Sequence, residues 1–190
     1  MIEIGTLPKQ VIIKDAEWAI RSDFRVALNI FLAFNDPNLN EQEKLIIMLD
    51  SLYVDFEKMN PDDYEEATKK ASWFLDGGKE YRDDRAIKKK LFDWEQDEQM
   101  IFSAVNKVAN YEVRAQEYLH WWTFLGFFSE IGEGLFSTVL NIRSKKNQGK
   151  KLDKVELEFY RNNKDLIDLK EKYSDEELKE IERLNNLFKK

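Results

Sequence analysis

The sequence predicts an all-α fold, a single multi-helix domain with a short N-terminal β-hairpin. Three observations carry that expectation. The 190 residues include only seven glycines and three prolines, so helix breakers are scarce. Charged residues make up 35% of the chain and phenylalanine occurs 13 times, a composition suited to amphipathic helices around an aromatic core. Apolar residues recur at helical spacing, with capping signals at the starts of several stripes. A chain of this size hides roughly 70% of its extended surface on folding, enough for one core without a disulfide or metal staple.

Taken in order, residues 1–22 read as the hairpin, packed on the helical body. Val11-Ile12-Ile13 is β-branched, Lys14-Asp15-Ala16-Glu17 supplies the turn, and Trp18-Ala19-Ile20 returns. A lone hairpin is marginal in water, so it must lean on the helices. Ser22 caps a first helix to about Phe34, with Phe24, Leu28 and Phe31 on one face, and Asn35-Asp36-Pro37 ends it. Asn40 with Glu43 makes a capping box for a second helix, to about Phe56. Asn60-Pro61 opens a third, striped by Tyr64, Ala67, Ala71, Phe74 and Leu75 and stopped by a left-handed Gly77-Gly78.

The charged stretch Lys79–Lys90 leads to a fourth helix, about Phe92 to Asn110, with Trp94, Ile101, Val105 and Val108 inward. A fifth covers about Ala115–Ser129 and a sixth about Ile131–Arg143. Residues 23–143 thus form the expected helical core. A gap at Ser144–Lys151 precedes a helical pattern over Leu152–Leu169. Ser174 with Glu177 opens a last helix to about Phe188, whose stripe of Leu178, Ile181, Leu184 and Phe188 is available to another subunit. Residues 144–190 are therefore read as a basic loop and C-terminal helices with a role in self-association.

Composition excludes much chemistry. With no cysteine there is no disulfide framework, thiolate metal site or thiol catalysis. Met1–Leu7 lacks the basic start and apolar run of a secretory leader, and Leu119–Phe128 is too short to span a bilayer, so the expected setting is the cytoplasm. Up to Leu140 the chain has 16 basic and 26 acidic residues, a net of −10; from Asn141 it has 14 and 11, a net of +3. An acidic body repels phosphate backbones, which argues against nucleic acid as the ligand. Neither cofactor nor membrane is expected.

The remaining constellations are few. Glu117-x-x-His120 has the spacing of a di-iron bundle motif, but that site needs two copies and His120 is the only histidine. The same count removes a His-Glu-x-x-His zinc site, and no Gly-x-Ser-x-Gly elbow supports a triad. Gly132-Glu133-Gly134 and Gly149-Lys150-Lys151 lack the rest of a nucleotide-binding loop. Asp93, Asp97 and Glu98 flank an apolar stripe; such acids cap, pair with a base, or bind metal, and pairing is commonest. Arg143, Lys145, Lys146, Lys150, Lys151 and Lys154 read as a solvated loop or as an electrostatic docking arm. Tyr118, Trp121, Trp122, Phe124, Phe127, Phe128 and Phe136 form a helix apolar around most of its circumference, central in the core or covered by a partner. No recognisable active site is left, and the residues point to a protein that works by binding other proteins.

Several blocks resemble a protein family of tailed phages and prophages of Gram-positive bacteria. They are Asp93-Trp94-Glu95-Gln96-Asp97, Tyr118-Leu119-His120-Trp121-Trp122-x-Phe124 and Ile142-Arg143-Ser144-Lys145-Lys146, with Ser22-Asp23-Phe24-Arg25 and Phe159-Tyr160-Arg161 in support. That family is encoded just ahead of the tape measure protein and is regarded as a tail assembly chaperone. The resemblance implies a non-enzymatic helper in the cytoplasm of the bacterial host. It would oligomerise, hold the tape measure protein soluble and recruit tail-tube subunits; the alternative is a structural tail or connector subunit retained in the virion. The family has no catalytic or metal residues to transfer. Asp93, Gln96, Asp97, His120, Trp121, Trp122, Phe124, Arg143, Lys145 and Lys146 carry over as family markers or partner-binding candidates.

Overall fold

A computed structural model describes residues 4–79 and 89–188; residues 80–88 of the Lys79–Lys90 linker, and the side chains of Leu187 and Phe188, lie outside the described part. Strands β1 (Gln10–Ile13) and β2 (Ala16–Ala19) pair antiparallel, with Val11 opposite Trp18 and Ile13 opposite Ala16. The connection is tighter than expected. Lys14 and Asp15 alone turn the chain, both at positive φ (45° and 67°), while Ala16 and Glu17 belong to the return strand. Two left-handed residues match the right-handed twist of the strands they join. Val11 and Ile13 are buried and Ile12 is exposed, so one face of the hairpin closes on the helices. The Lys14 ammonium also pairs with Asp63, 2.5 Å away.

Helix α1 (Phe24–Phe34) is capped by Asp23, whose carboxylate accepts the Arg25 amide; the expected cap, Ser22, instead hydrogen-bonds the Tyr118 hydroxyl. Its buried face is Phe24, Ala27 and Ile30, rotated slightly from the expected stripe, with Leu28 and Phe31 half-buried beside it. Helix α2 (Glu41–Leu52) has the Asn40/Glu43 capping box. It ends before Phe56 because Tyr53 turns to extended backbone, bridges Ile20 and donates its hydroxyl to the Ala67 carbonyl. The Arg21 guanidinium then takes up the freed carbonyls of Asp50 and Tyr53. Asn60 and Pro61 open a single 3-10 turn that feeds α3 (Tyr64–Leu75), which buries Ala67, Ala71, Phe74 and Leu75. Gly77 and Gly78 close it at φ 70° and 84°.

Helices α4 (Glu98–Ala109) and α5 (Trp121–Ser129) each begin about six residues later than expected. Before α5, residues 116–120 are not helical. The Phe24 amide donates to Leu119 O and the Trp121 amide to Ser22 O, so the chain lies beside the start of α1. Glu117 and His120 therefore do not share a helix face, and the di-iron spacing loses its geometry. Helix α6 (Leu135–Asn147) continues past Arg143, followed by α7 (Lys154–Asn162), α8 (Lys164–Ile167) and α9 (Asp175–Phe188). The core joins α1 to α5 and α6: the Phe24 and Phe124 rings stack in parallel at 4.8 Å, and Trp121, Ile101, Val139, Ile142 and Ile167 are sealed around them. Among the described residues no helix is long and apolar enough to cross a membrane.

Candidate functional site

The Asp93-Trp94-Glu95-Gln96-Asp97 block is a turn, not the first turn of a helix. One Asp93 carboxylate oxygen accepts the amides of Glu95 and Gln96, and the other takes the Lys90 ammonium at 2.6 Å. A short acceptor side chain offers the backbone a competing partner, which delays α4 to Glu98. Burial pushes the Asp93 carboxyl up, but the Lys90 hydrogen bond and the two amides outweigh it and hold it down at about 2.

Asp97, fully buried, faces Arg143, also buried, in a two-pronged ion pair at 2.6 and 2.9 Å. The rest of the guanidinium donates to Ile167 O, Leu91 O and Leu166 O, and Asp97 accepts the Asp93 amide besides. Every donor of the fork is thus used, the condition under which a buried ion pair is tolerated. Gln96 extends the clasp: its side chain donates to Asp168 O and accepts from the Lys170 amide. These four residues bind the 89–93 segment, α6 and the 166–170 segment into one unit. The carboxylates of Asp93 and Asp97 are committed to these partners, so of the three outcomes open to such acids these two cap a turn and pair with a base. Among the described residues no group of three or more His, Asp and Glu is placed to hold a metal ion.

Arg143 was expected at the edge of a basic loop and is instead the centre of this clasp. Lys145 and Lys146 lie in the last helical turn of α6, where cations complement the helix dipole, and not in a loop. Lys145 pairs with Glu156 of α7; Lys146 pairs with Asp168 and sits over the Tyr160 ring. Tyr160 in turn donates to Asp168 at 2.9 Å. The basic run therefore staples α6 to α7 and α8, leaving Lys150 and Lys151 exposed.

The His-Trp-Trp block forms a second clasp. His120 Nδ1 accepts the Trp122 amide at 3.0 Å and so caps α5; Nε2 then carries the proton and donates to Pro8 O at 2.9 Å. Burial, more than nearby Lys9, pushes the imidazole below its ordinary value, against the opposing pull of the Pro8 carbonyl. The indole N–H of Trp121 donates to Leu75 O, a carbonyl left over at the end of α3, and that of Trp122 gives Phe74 O a donor besides the Gly77 amide. Trp122 also lies against Gly78, where an added Cβ would meet the ring at 2.8 Å. Trp121 and Phe124 are core residues; Trp122 is half-buried and lines, with Phe31, Trp94, Leu125 and Phe128, a cleft of about 630 Å³.

The structure thus brings Asp93, Gln96, Asp97 and Arg143 together, and His120, Trp121, Trp122 and Phe124 together, as two separate structural clasps. Sequence reasoning did not single out Pro8, Lys90, Asp168 or Glu156; Glu156 has a local signal in its capping box with Asp153, whereas Pro8 and Asp168 meet partners such as His120 and Gln96 that lie far away in the chain.

No curated protein and no solved structure matches the chain. The family model described as Bacteriophage Gp15 protein matches residues 4–169, from the hairpin through α8. Both clasps fall within that span. The chain belongs to the Bacteriophage Gp15 protein family, a family of non-catalytic proteins associated with phage tails.

Proposed function

We propose that the protein is a tail assembly chaperone that binds the tape measure protein and helps recruit tail-tube subunits in the cytoplasm of the bacterial host. The observation that carries this reading is the family match across residues 4–169. The clasps support it indirectly. They tie the marker residues to the protein's own backbone and side chains, so Asp93, Asp97, Arg143 and His120 serve the fold, and the half-buried aromatic and exposed basic residues beside them are the surface on offer. A tape measure protein exposes a long apolar helical face before assembly, and the cleft beside Trp122 presents an aromatic wall of the kind that covers such a face. The basic end of α6, with Lys150 and Lys151 beyond it, is the second candidate contact.

Co-expression tests the proposal. The tape measure protein should remain soluble and co-purify when made with this chain, and precipitate without it. Recovery of both proteins with no complex between them would refute it. Mass spectrometry of purified virions separates a chaperone, which is absent from the particle, from a connector subunit, which is retained at fixed stoichiometry.

A further inference from the structure

We propose that α9 is a docking helix for an amphipathic helix of another protein whose apolar stripe is edged with lysine and arginine. Helix α9 spans 14 residues, about 21 Å at 1.5 Å per residue. It is fixed at its foot, where the Asp175 amide donates to Asn38, Lys172 pairs with Glu95, and Ser174 and Glu177 form the cap. Beyond the foot its apolar side chains face solvent: Leu178 is 51% exposed, Ile181 38% and Leu184 42%. At about 100° per residue these three lie on one face. Glu180 falls along one edge of that stripe, and Asp175 and Glu182 along the other, with Glu177 and Asn185 within it, while Lys179 and Arg183 point to the back. The Arg183 guanidinium reaches Glu180 from behind at 3.2 Å.

The foot repeats the same chemistry. A cleft of about 510 Å³ there is lined by Leu32, Pro37, Leu39 and Tyr173, with Asp36 and the Glu95–Lys172 pair among its polar residues. A helix lying on α9 would find an apolar stripe bordered by Glu180, Asp175 and Glu182, and at the foot Asp36 adds a further acid beside the Glu95–Lys172 pair. Acids on both edges select a partner with bases on both edges. They disfavour a second copy of α9: an antiparallel pair centred near Ile181 sets Glu180 and Glu182 against their counterparts, and a parallel pair sets Glu177 against Glu182. The family match ends at residue 169, so α9 stands outside the shared body. The inference stands whether or not the partner is the tape measure protein.

The test uses the full chain and two synthetic helical peptides of about four heptads with the same leucine stripe, one edged with lysine and one with glutamate. Fluorescence anisotropy should give the lysine-edged peptide at least about 10-fold tighter binding, weakening as salt is raised. Ile181→Ser with Leu184→Ser should lower that affinity about 10-fold or more while the circular dichroism of the body is kept. Glu180→Lys with Glu182→Lys should reverse the preference toward the glutamate-edged peptide, a gain that an unfolded α9 cannot produce. Equal affinity for the two peptides, or binding indifferent to the Ile181 and Leu184 changes, overturns the proposal. So does a concentration-dependent dimer in sedimentation that those two changes abolish, which would assign the stripe to a second copy.

Discussion

Removing the Asp97 carboxylate is the sharpest test of the buried clasp. Asp97→Ala leaves Arg143 with three carbonyl acceptors but no counter-charge, at a site where the guanidinium has almost no access to water. Stranding one member of a buried pair costs about 3–5 kcal/mol. For a chain of this length that corresponds to a fall in Tm of about 6–20 °C. Domains are typically stable by about 5–15 kcal/mol, so the variant should still fold. Arg143→Met should cost a similar amount, because the carbonyls of Leu91, Leu166 and Ile167 lose their donor as well. The double variant should be less damaged than the sum of the two, by about 1–3 kcal/mol, since the second change removes the orphan left by the first. Urea unfolding followed by tryptophan fluorescence gives all three values at a common slope. A loss below about 1 kcal/mol for Asp97→Ala, or strict additivity in the double variant, would refute the account of the clasp as a coupled, load-sharing pair.

Other outcomes follow from the same geometry. His120 is neutral in the fold and its proton affinity is lowered, so its contribution is whole above pH 6.5, its ordinary value, and declines as pH falls through that point and below. It is the only histidine, so an unfolding series from pH 8 to 5 should show this decline in the native chain and lose it in His120→Asn. Asp93, held down from 3.8 to about 2, contributes stability present above pH 3.8 and lost as pH approaches 2, worth about 2 kcal/mol; Asp93→Ala should flatten acid unfolding in that window. Gly78→Ala combines a left-handed backbone with a methyl driven into Trp122, and should cost about 2–4 kcal/mol in urea unfolding, with a shift in tryptophan emission.

What the sequence revealed follows the range of each interaction. The Asn40/Glu43 box, the Ser174/Glu177 cap and the Gly77-Gly78 stop lie within three residues of what they act on, and each was legible. The starts of α4 and α5 were not. Trp94 and Tyr118 sit at helical spacing from the stripes that follow, yet Asp93 diverts the amides of Glu95 and Gln96, and Ser22 and Asp23 hold the 119–121 segment from about 96 residues away. The period was right and a distant partner overrode it. Arg143 shows the same limit from the other side. Its neighbours are lysines, so composition placed it in a solvated run; only the approach of Asp97, 46 residues earlier in the chain, makes it a core residue. The family markers were visible as markers, whereas their work in holding the fold together was not.

The contact between His120 and Pro8 joins residues 112 positions apart. During synthesis at about 5–20 residues per second, roughly 6–20 s separate the making of Pro8 from that of His120. The apolar face of the hairpin has partners sooner than that, since Lys14 pairs with Asp63 beside α3 and Ile20 bridges Tyr53. What waits for His120 is the tie at Pro8. Translation of the 119–121 segment then sets when the chain ahead of β1 is locked onto the start of α5, after the hairpin itself has found its place.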